Sequence, residues 1–249
     1  MCTSSLPPWY AKPVVVGDPG AVDRRPDRVF ATGSEQRRVS YSSLRRDVLA
    51  LIPNPAGRVL DVGCNRGALG AVLRERGSDV WGIELDPDAA STAATVLNRV
   101  IVGDVAVATA LLPAGERFDT IVCADVLEHV ADPWATLRVL VGHLSPGGTV
   151  VLSLPNVRFH TTITSLVFRG RWPRRDRGVH DRTHLQWFTR LDALDLLGSA
   201  GLTALSTASN YRMFDRPGRW DRLARLMRFT PLRGFFAYQH LFTANRVDG

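Results

Sequence analysis

Asp125, Glu128 and His129 occupy positions i, i+3 and i+4 of one short run, Asp-Val-Leu-Glu-His. On a helix that spacing puts two carboxylates and an imidazole on one face. Such a group can take a proton from a hydroxyl or hold a hard divalent cation such as Mg²⁺ or Mn²⁺. Three more histidines, His160, His180 and His184, follow in a segment rich in Arg and aromatics. They are the pool for a further ligand or catalytic group. The metal set expected is Asp125, Glu128, His129 and His180; the catalytic set is Glu128, His129 and His184. Three readings of the run stay open: a metal site, a metal-free base or substrate contact at His129, and a purely structural helix start.

A second constellation lies at residues 58–70, Arg-Val-Leu-Asp-Val-Gly-Cys-Asn-Arg-Gly-Ala-Leu-Gly. Val59, Leu60 and Val62 read as a short buried strand, Gly63 to Gly67 as a tight turn, and Ala68 to Arg76 as a helix. A glycine-rich turn there lets a ligand approach bare backbone beside the positive end of the helix dipole. Asp61, two places before Gly63, is the informative residue. It would repel a pyrophosphate, whereas it suits a ligand carrying an amino group and a sulfonium. Asn65 tolerates the left-handed conformation better than most residues. Glu84 ends the next strand and can accept both hydroxyls of a ribose. Asp104 ends the third, with Val105 beside it to pack on a flat ring.

The elements that must position these groups alternate. Strands are expected at 58–62, 79–83, 99–102, 118–123 and 149–154. Helices are expected at 68–76 and 89–97, the latter entered through Asp86 as N-cap and Pro87 in its first turn. Another helix is expected from Asp125 to Leu144, broken near Pro133. An earlier helix spans 34–51, ended by Pro53 and Pro55. Thr189 caps a later helix to Ala200, stopped by Gly201. Strands follow at 202–208 and 236–246. Strands alternating with helices argue for a parallel doubly wound sheet, which binds ligands at the carboxyl ends of its strands. Asp61, Gly63, Glu84, Asp104 and Asp125 all fall at such ends.

Residues 58–70 resemble motif I of the class I S-adenosylmethionine-dependent methyltransferases, acid-x-Gly-x-Gly-x-Gly, with Asn65 at the second glycine. The resemblance covers residues 40–155. It implies an α/β, Rossmann-like, doubly wound seven-stranded sheet with an antiparallel last strand and helices on both faces. It also implies S-adenosylmethionine as cofactor, with Asp61, Gly63, Cys64, Asn65, Gly67, Glu84, Leu85, Asp104, Val105 and Asp125 as its contacts. Asp125-x-x-Glu128-His129 resembles the divalent-metal motif of the ubiquinone-biosynthesis O-methyltransferases and of the small-RNA 3′-terminal 2′-O-methyltransferases. Asp181 to Thr189 is similar to a segment of methyltransferases in sugar and polysaccharide pathways. The implied activity is methylation of a hydroxyl on a small or saccharide-like acceptor, a lipid-linked one included. RNA 3′-end methylation and non-catalytic binding of the cofactor or a membrane surface are the alternatives. No Asn/Asp-Pro-Pro-aromatic motif of the amino-directed DNA enzymes follows the fourth strand.

The composition bounds the rest. A chain of 249 residues, 45% hydrophobic and 22% charged, is ample for a folded core. Cys2, Cys64 and Cys123 are scattered and odd in number, which argues against a disulfide framework. Cys123 reads as a core thiol. No signal-like segment and no apolar run of about 20 residues is present, so a cytoplasmic location is expected. The net charge of +7 is uneven. Residues 57–155 hold seven Arg against twelve Asp and Glu, net −5; residues 156–186 and 210–234 each hold seven Arg against two Asp, net +5. Nucleic acid is therefore not the expected partner, while a local anionic contact, with a membrane surface among the candidates, is favoured. The expected organisation is an irregular arm over 1–33 and one domain over 34–249, with insertions at 156–186 and 210–234. In the first insertion, residues 158–177 are expected to form a lid over the acceptor. In the second, Trp220, Leu223 and Met227 share a helical face that is expected to pack on the sheet edge.

Overall fold

Val59, Leu60 and Val62 are fully buried, and the strand that carries them, β2 (Arg58–Val62), has the same bounds as the sequence predicts. The computed structural model describes residues 14–16, 44–215 and 218–246. Strands β1 (Val14–Val16), β3 (Asp79–Glu84), β4 (Arg99–Val102), β5 (Phe118–Ala124), β6 (Leu144–Pro155), β7 (Leu202–Tyr211) and β8 (Ala237–Arg246) join β2 in one sheet. Their order is β1-β4-β3-β2-β5-β6-β8-β7. Strands β2 to β6 pair in parallel, with Asp61 opposite Gly82 on β3 and Val122 on β5. Strand β8 runs antiparallel between β6 and β7. These seven strands are the expected mixed sheet. An eighth, β1, pairs antiparallel with β4 at the far edge, from within the arm where no element is predicted.

The pleat sorts the core into two layers. Leu60, Val62, Ile121 and Phe242 face one layer with helices α5 (Pro133–Gly142) and α7 (Arg190–Ser199). Val59, Val80, Val122 and Leu241 face the other with α1 (Arg46–Leu49), α2 (Ala68–Glu75) and α3 (Pro87–Ala93). Local codes set the helix starts. The Asp86 side chain accepts from Asp88 N at 2.9 Å, with Pro87 next. Thr189 and Asp192 exchange both bonds of a capping box, 3.3 and 2.8 Å, a device worth about 1 kcal/mol.

Two expectations are corrected. The run from Asp125 does not start an α-helix: Asp125 is left-handed, with φ of +59°, and Leu127–His129 is a single 3-10 turn. The helix begins at Pro133, whose ring suits a first turn, under a cap from Asp132 to Ala135 N at 2.8 Å. The helix expected over 34–51 is described as α1 only, and residues 34–43 lie outside the described part. In the second insertion, α8 (Asp221–Leu226) buries Ala224 but leaves Trp220 51% and Leu223 44% exposed. The helix nevertheless lies against β7, the edge strand, as expected. No described helix is long and apolar enough to cross a membrane.

Candidate active site

The carboxyl ends of β2 and β3 meet at the glycine turn. Gly63 has φ of +70°, and its N–H donates to Ile83 O at 2.8 Å. A Cβ there would meet Val126 Cγ2 at 2.5 Å, so only glycine fits. Asn65 is left-handed, φ +49°, and accepts from Arg66 N through its own Oδ1 at 2.7 Å. The conformation the motif demands is thus supplied without a glycine. Cys64 is buried against Gly82, and Gly67 precedes α2 in the left-handed region. Glu84 accepts from Asn65 N at 2.7 Å and from Asp86 N at 2.9 Å, so it clasps the turn. Leu85 is 67% exposed beside it. Asp104 caps a short helix, α4 (Val105–Ala108), through Ala106 N at 2.9 Å, and Val105 is buried.

Asp61 is 3% exposed, and burial, then the neighbouring Glu84, push its carboxyl up to about 7. Burial likewise raises Glu84. Among the described residues, no cation pairs with Asp61. Two acids without a counter-charge suit a ligand that brings its own, such as the ammonium of an adenosyl amino acid.

Asp125 stands apart from both expected roles. Its Oδ2 pairs with Arg45 Nη1. Ser153 Oγ donates to Oδ1 at 2.9 Å, and Gln239 Nε2 reaches both oxygens at 2.8 and 2.7 Å. Arg45 also holds Asp47 through Nε and Nη2 at 2.9 Å each, and Asn210 reaches Asp47 at 2.6 Å. Burial would raise Asp47, but the Arg45 bonds and charge overcome it and hold the carboxyl at about 2. The left-handed turn therefore aims Asp125 at a knot of side chains from four distant segments.

Glu128, His129 and His184 come together: one ligand atom from each lies within 4.8 Å of the others. Glu128 is 1% exposed, neither of its carboxylate oxygens has a hydrogen-bond partner, and burial, then Asp125, push it well above the usual range. Its backbone carbonyl accepts from Leu185 N at 2.8 Å and Gln186 N at 3.0 Å, which fastens the insertion to the 3-10 turn. His184 Nδ1 faces Val179 O at 3.2 Å. A carbonyl only accepts, so Nδ1 carries the proton and the Nε2 lone pair faces Glu128 Oε1 at 4.0 Å. Burial, then His129, hold His184 down to about 4, so it is neutral near pH 7. The same proton count fixes His129. Thr183 Oγ1 donates to Asp181 at 2.7 Å, so the hydroxyl and carbonyl of Thr183 accept from His129 Nδ1 at 3.1 and 3.2 Å. The Nε2 of His129 is left as the basic nitrogen. A buried carboxylate with empty oxygens beside a neutral imidazole lone pair is donor chemistry that fits a divalent cation.

His180 and His160 do not join this group. His180 Nε2 bonds Thr162 Oγ1 at 2.8 Å, and burial holds it down to about 4. His160 Nε2 bonds Met213 O at 2.8 Å. Both tie helix α6 (His160–Arg169) to its surroundings. Arg45, Gln239 and Thr183 are the partners that sequence reading misses. Each acts across a large sequence separation, and nothing in its local pattern announces it.

A family model described as a methyltransferase domain matches residues 34–207. The chain is 33% identical over 162 residues to a ubiquinone biosynthesis O-methyltransferase of Cereibacter sphaeroides, covering 63% of this chain and 64% of the relative. It is 35% identical over 131 residues to one of Xanthomonas campestris pv. campestris, covering 51% and 55%. The chain thus spans less than two thirds of the length of these relatives. A solved methyltransferase in complex with the Haloferax volcanii Trm112 activator superposes with a TM-score of 0.61 at 19% identity, over 86% of this chain and 95% of that one. Magnesium protoporphyrin IX methyltransferase from Synechocystis PCC 6803, with bound SAH, gives 0.56 at 19%, over 85% and 84%. These likenesses speak for the fold. With the sheet order, the glycine turn and the match over residues 34–207 in agreement, the chain belongs to the class I S-adenosylmethionine-dependent methyltransferases.

Proposed function

We propose that this protein transfers the methyl group of S-adenosylmethionine to a hydroxyl of a small acceptor, with Glu128, His129 and His184 as the reacting-end machinery. The single observation that carries this reading is Glu128: a buried carboxylate with both oxygens unpartnered, beside two imidazoles, following the strand next to the glycine turn. The names of the curated relatives, ubiquinone biosynthesis O-methyltransferases, support oxygen as the methylated atom.

Bound S-adenosylmethionine supplies a methyl carbon on a positively charged sulfur, already a good electrophile. Asp61 and Glu84 would balance the ammonium and hold the ribose. Gly63 lets the ligand lie against backbone. His129 Nε2 would take the hydroxyl proton as the acceptor oxygen bonds the methyl carbon and the carbon–sulfur pair returns to sulfur. In the alternative in which the His129 Nε2 lone pair binds an ion instead of a proton, Glu128, His129 and His184 would hold Mg²⁺ or Mn²⁺, which lowers the pKa of a hydroxyl bound to it. The 158–177 segment would exclude water from that end. An acceptor with two adjacent hydroxyls, phenolic or saccharide-like, would fit such a cation. A lipid-linked one is supported by the exposed apolar side chains Phe168, Leu226 and Phe229.

The test is transfer of labelled methyl to catechols, glycans and short RNAs, with and without a chelator. The expected result is an O-methylated small diol whose formation a chelator abolishes and Mg²⁺ or Mn²⁺ restores. Transfer only to nitrogen or carbon would defeat the hydroxyl reading. Transfer to oxygen that ignores the chelator would remove the metal and leave His129 as the base.

A further inference from the structure

A cavity of about 450 Å³ opens at the β7–β8 side of the sheet, separated from β2 and its glycine turn by β5 and β6. Arg158, Arg190 and Arg233 line it, with the hydroxyl residues Thr207, Ser209 and Tyr211. No Asp or Glu does. Among the described residues, none of the three guanidinium groups is paired with a carboxylate. Their placement is built. Arg158 lies over the Phe235 ring, 4.9 Å from its centroid. Arg190, the first residue of α7, donates to Thr207 Oγ1 at 3.3 Å. Arg233 starts the short helix α9 (Arg233–Phe236), whose flanks are held by Asn156 Nδ2 on Gly234 O at 2.9 Å and Ala237 O at 2.7 Å. The two basic insertions each contribute one of these arginines.

The field is felt inside. His240, in the wall, bonds Ser209 Oγ through Nδ1 at 2.9 Å. Burial, then Arg190 and Arg158, hold it down to about 4, so it stays neutral among the three positive groups.

We propose that this cavity binds a phosphate-bearing group, a phosphate monoester or a diphosphate, through Arg158, Arg190 and Arg233. One carboxylate is matched by one arginine fork. Three forks, with hydroxyls between them and no acid, match an anion with several oxygens and at least two charges. The group could be delivered by a soluble phosphate ester or by the headgroup of a phospholipid, and the chemistry of recognition is the same. The site does not depend on the acceptor assigned above.

The probe is inorganic pyrophosphate, titrated calorimetrically into the full chain. Wild type should bind saturably, one site per chain, with an affinity that falls steeply with salt. The double variant Arg158→Gln/Arg233→Gln should weaken binding by at least about tenfold, about 1.4 kcal/mol, with an unchanged thermal midpoint. Arg222→Gln/Arg225→Gln removes the same charge from α8, outside the cavity, and should stay within about twofold of wild type. Arg190→Gln serves as a second cavity variant if the first double fails to fold. Vesicles containing phosphatidic acid that displace pyrophosphate identify a lipid headgroup as the source; vesicles that do not displace it identify a soluble ester. Non-saturable binding, or equal loss in the cavity and α8 doubles, overturns the proposal.

Discussion

Replacing Asp61 with Asn separates the two things its buried carboxyl does. In the free protein the group is pushed from 3.8 up to about 7. Between those values the folded state keeps a proton that the unfolded chain releases. The folded state is therefore favoured at low pH, and stability declines as pH rises from about 4 to about 7. The shift of about three pK units corresponds to about 4 kcal/mol as an upper bound. Asp61→Asn abolishes that slope, and near pH 8 the variant should unfold at a higher temperature than wild type. Ligand binding should move the other way. An ammonium beside Asp61 favours the ionised form, so binding S-adenosylhomocysteine requires the carboxyl to lose its proton below about pH 7. Affinity should then rise by about tenfold per pH unit from about pH 5 to about pH 7 and level off above. That window lies below the range, about 7.7–8.0, where an α-amino group titrates. Calorimetry across this range, on wild type and Asp61→Asn, reads the effect directly. The variant should bind weakly and with no slope. A wild-type affinity independent of pH, or the same slope in both proteins, would refute the counter-charge argument and the cofactor placement built on it.

Three other predictions concern the turns and the knot. Arg45→Met and Asp125→Asn, singly and together, form a cycle across a partly buried pair; urea unfolding should return a coupling of about 1–3 kcal/mol, and strictly additive singles would count against the knot. Gly63→Ala combines φ of +70° with a Val126 methyl at 2.5 Å and should lose S-adenosylhomocysteine binding and about 2–3 kcal/mol of stability. Gly147→Ala, with φ of +73° but nothing within 4 Å, should cost only about 1 kcal/mol.

The parts of the fold legible in the sequence are those written locally. Strand β2 and the caps at Asp86 and Thr189 sit where alternation and capping chemistry put them. Residues 125–129 misled because spacing reports a period, not a handedness. A left-handed aspartate leaves no trace in an i, i+3, i+4 pattern, and one 3-10 turn satisfies the same spacing. Choosing between His180 and His184 needed the Thr183–Asp181 bonds that orient the insertion.

The Asp125 knot has a bearing on biosynthesis. Arg45 precedes the first parallel strand, and Gln239 lies in β8, the last strand of the sheet. A nascent polypeptide lacking that final strand leaves a charged aspartate in a strained loop with two of its amide contacts missing. Pairing of β8 between β6 and β7 thus completes the support of the loop that leads into Glu128 and His129. Products truncated before β8 should then be inert as well as poorly folded.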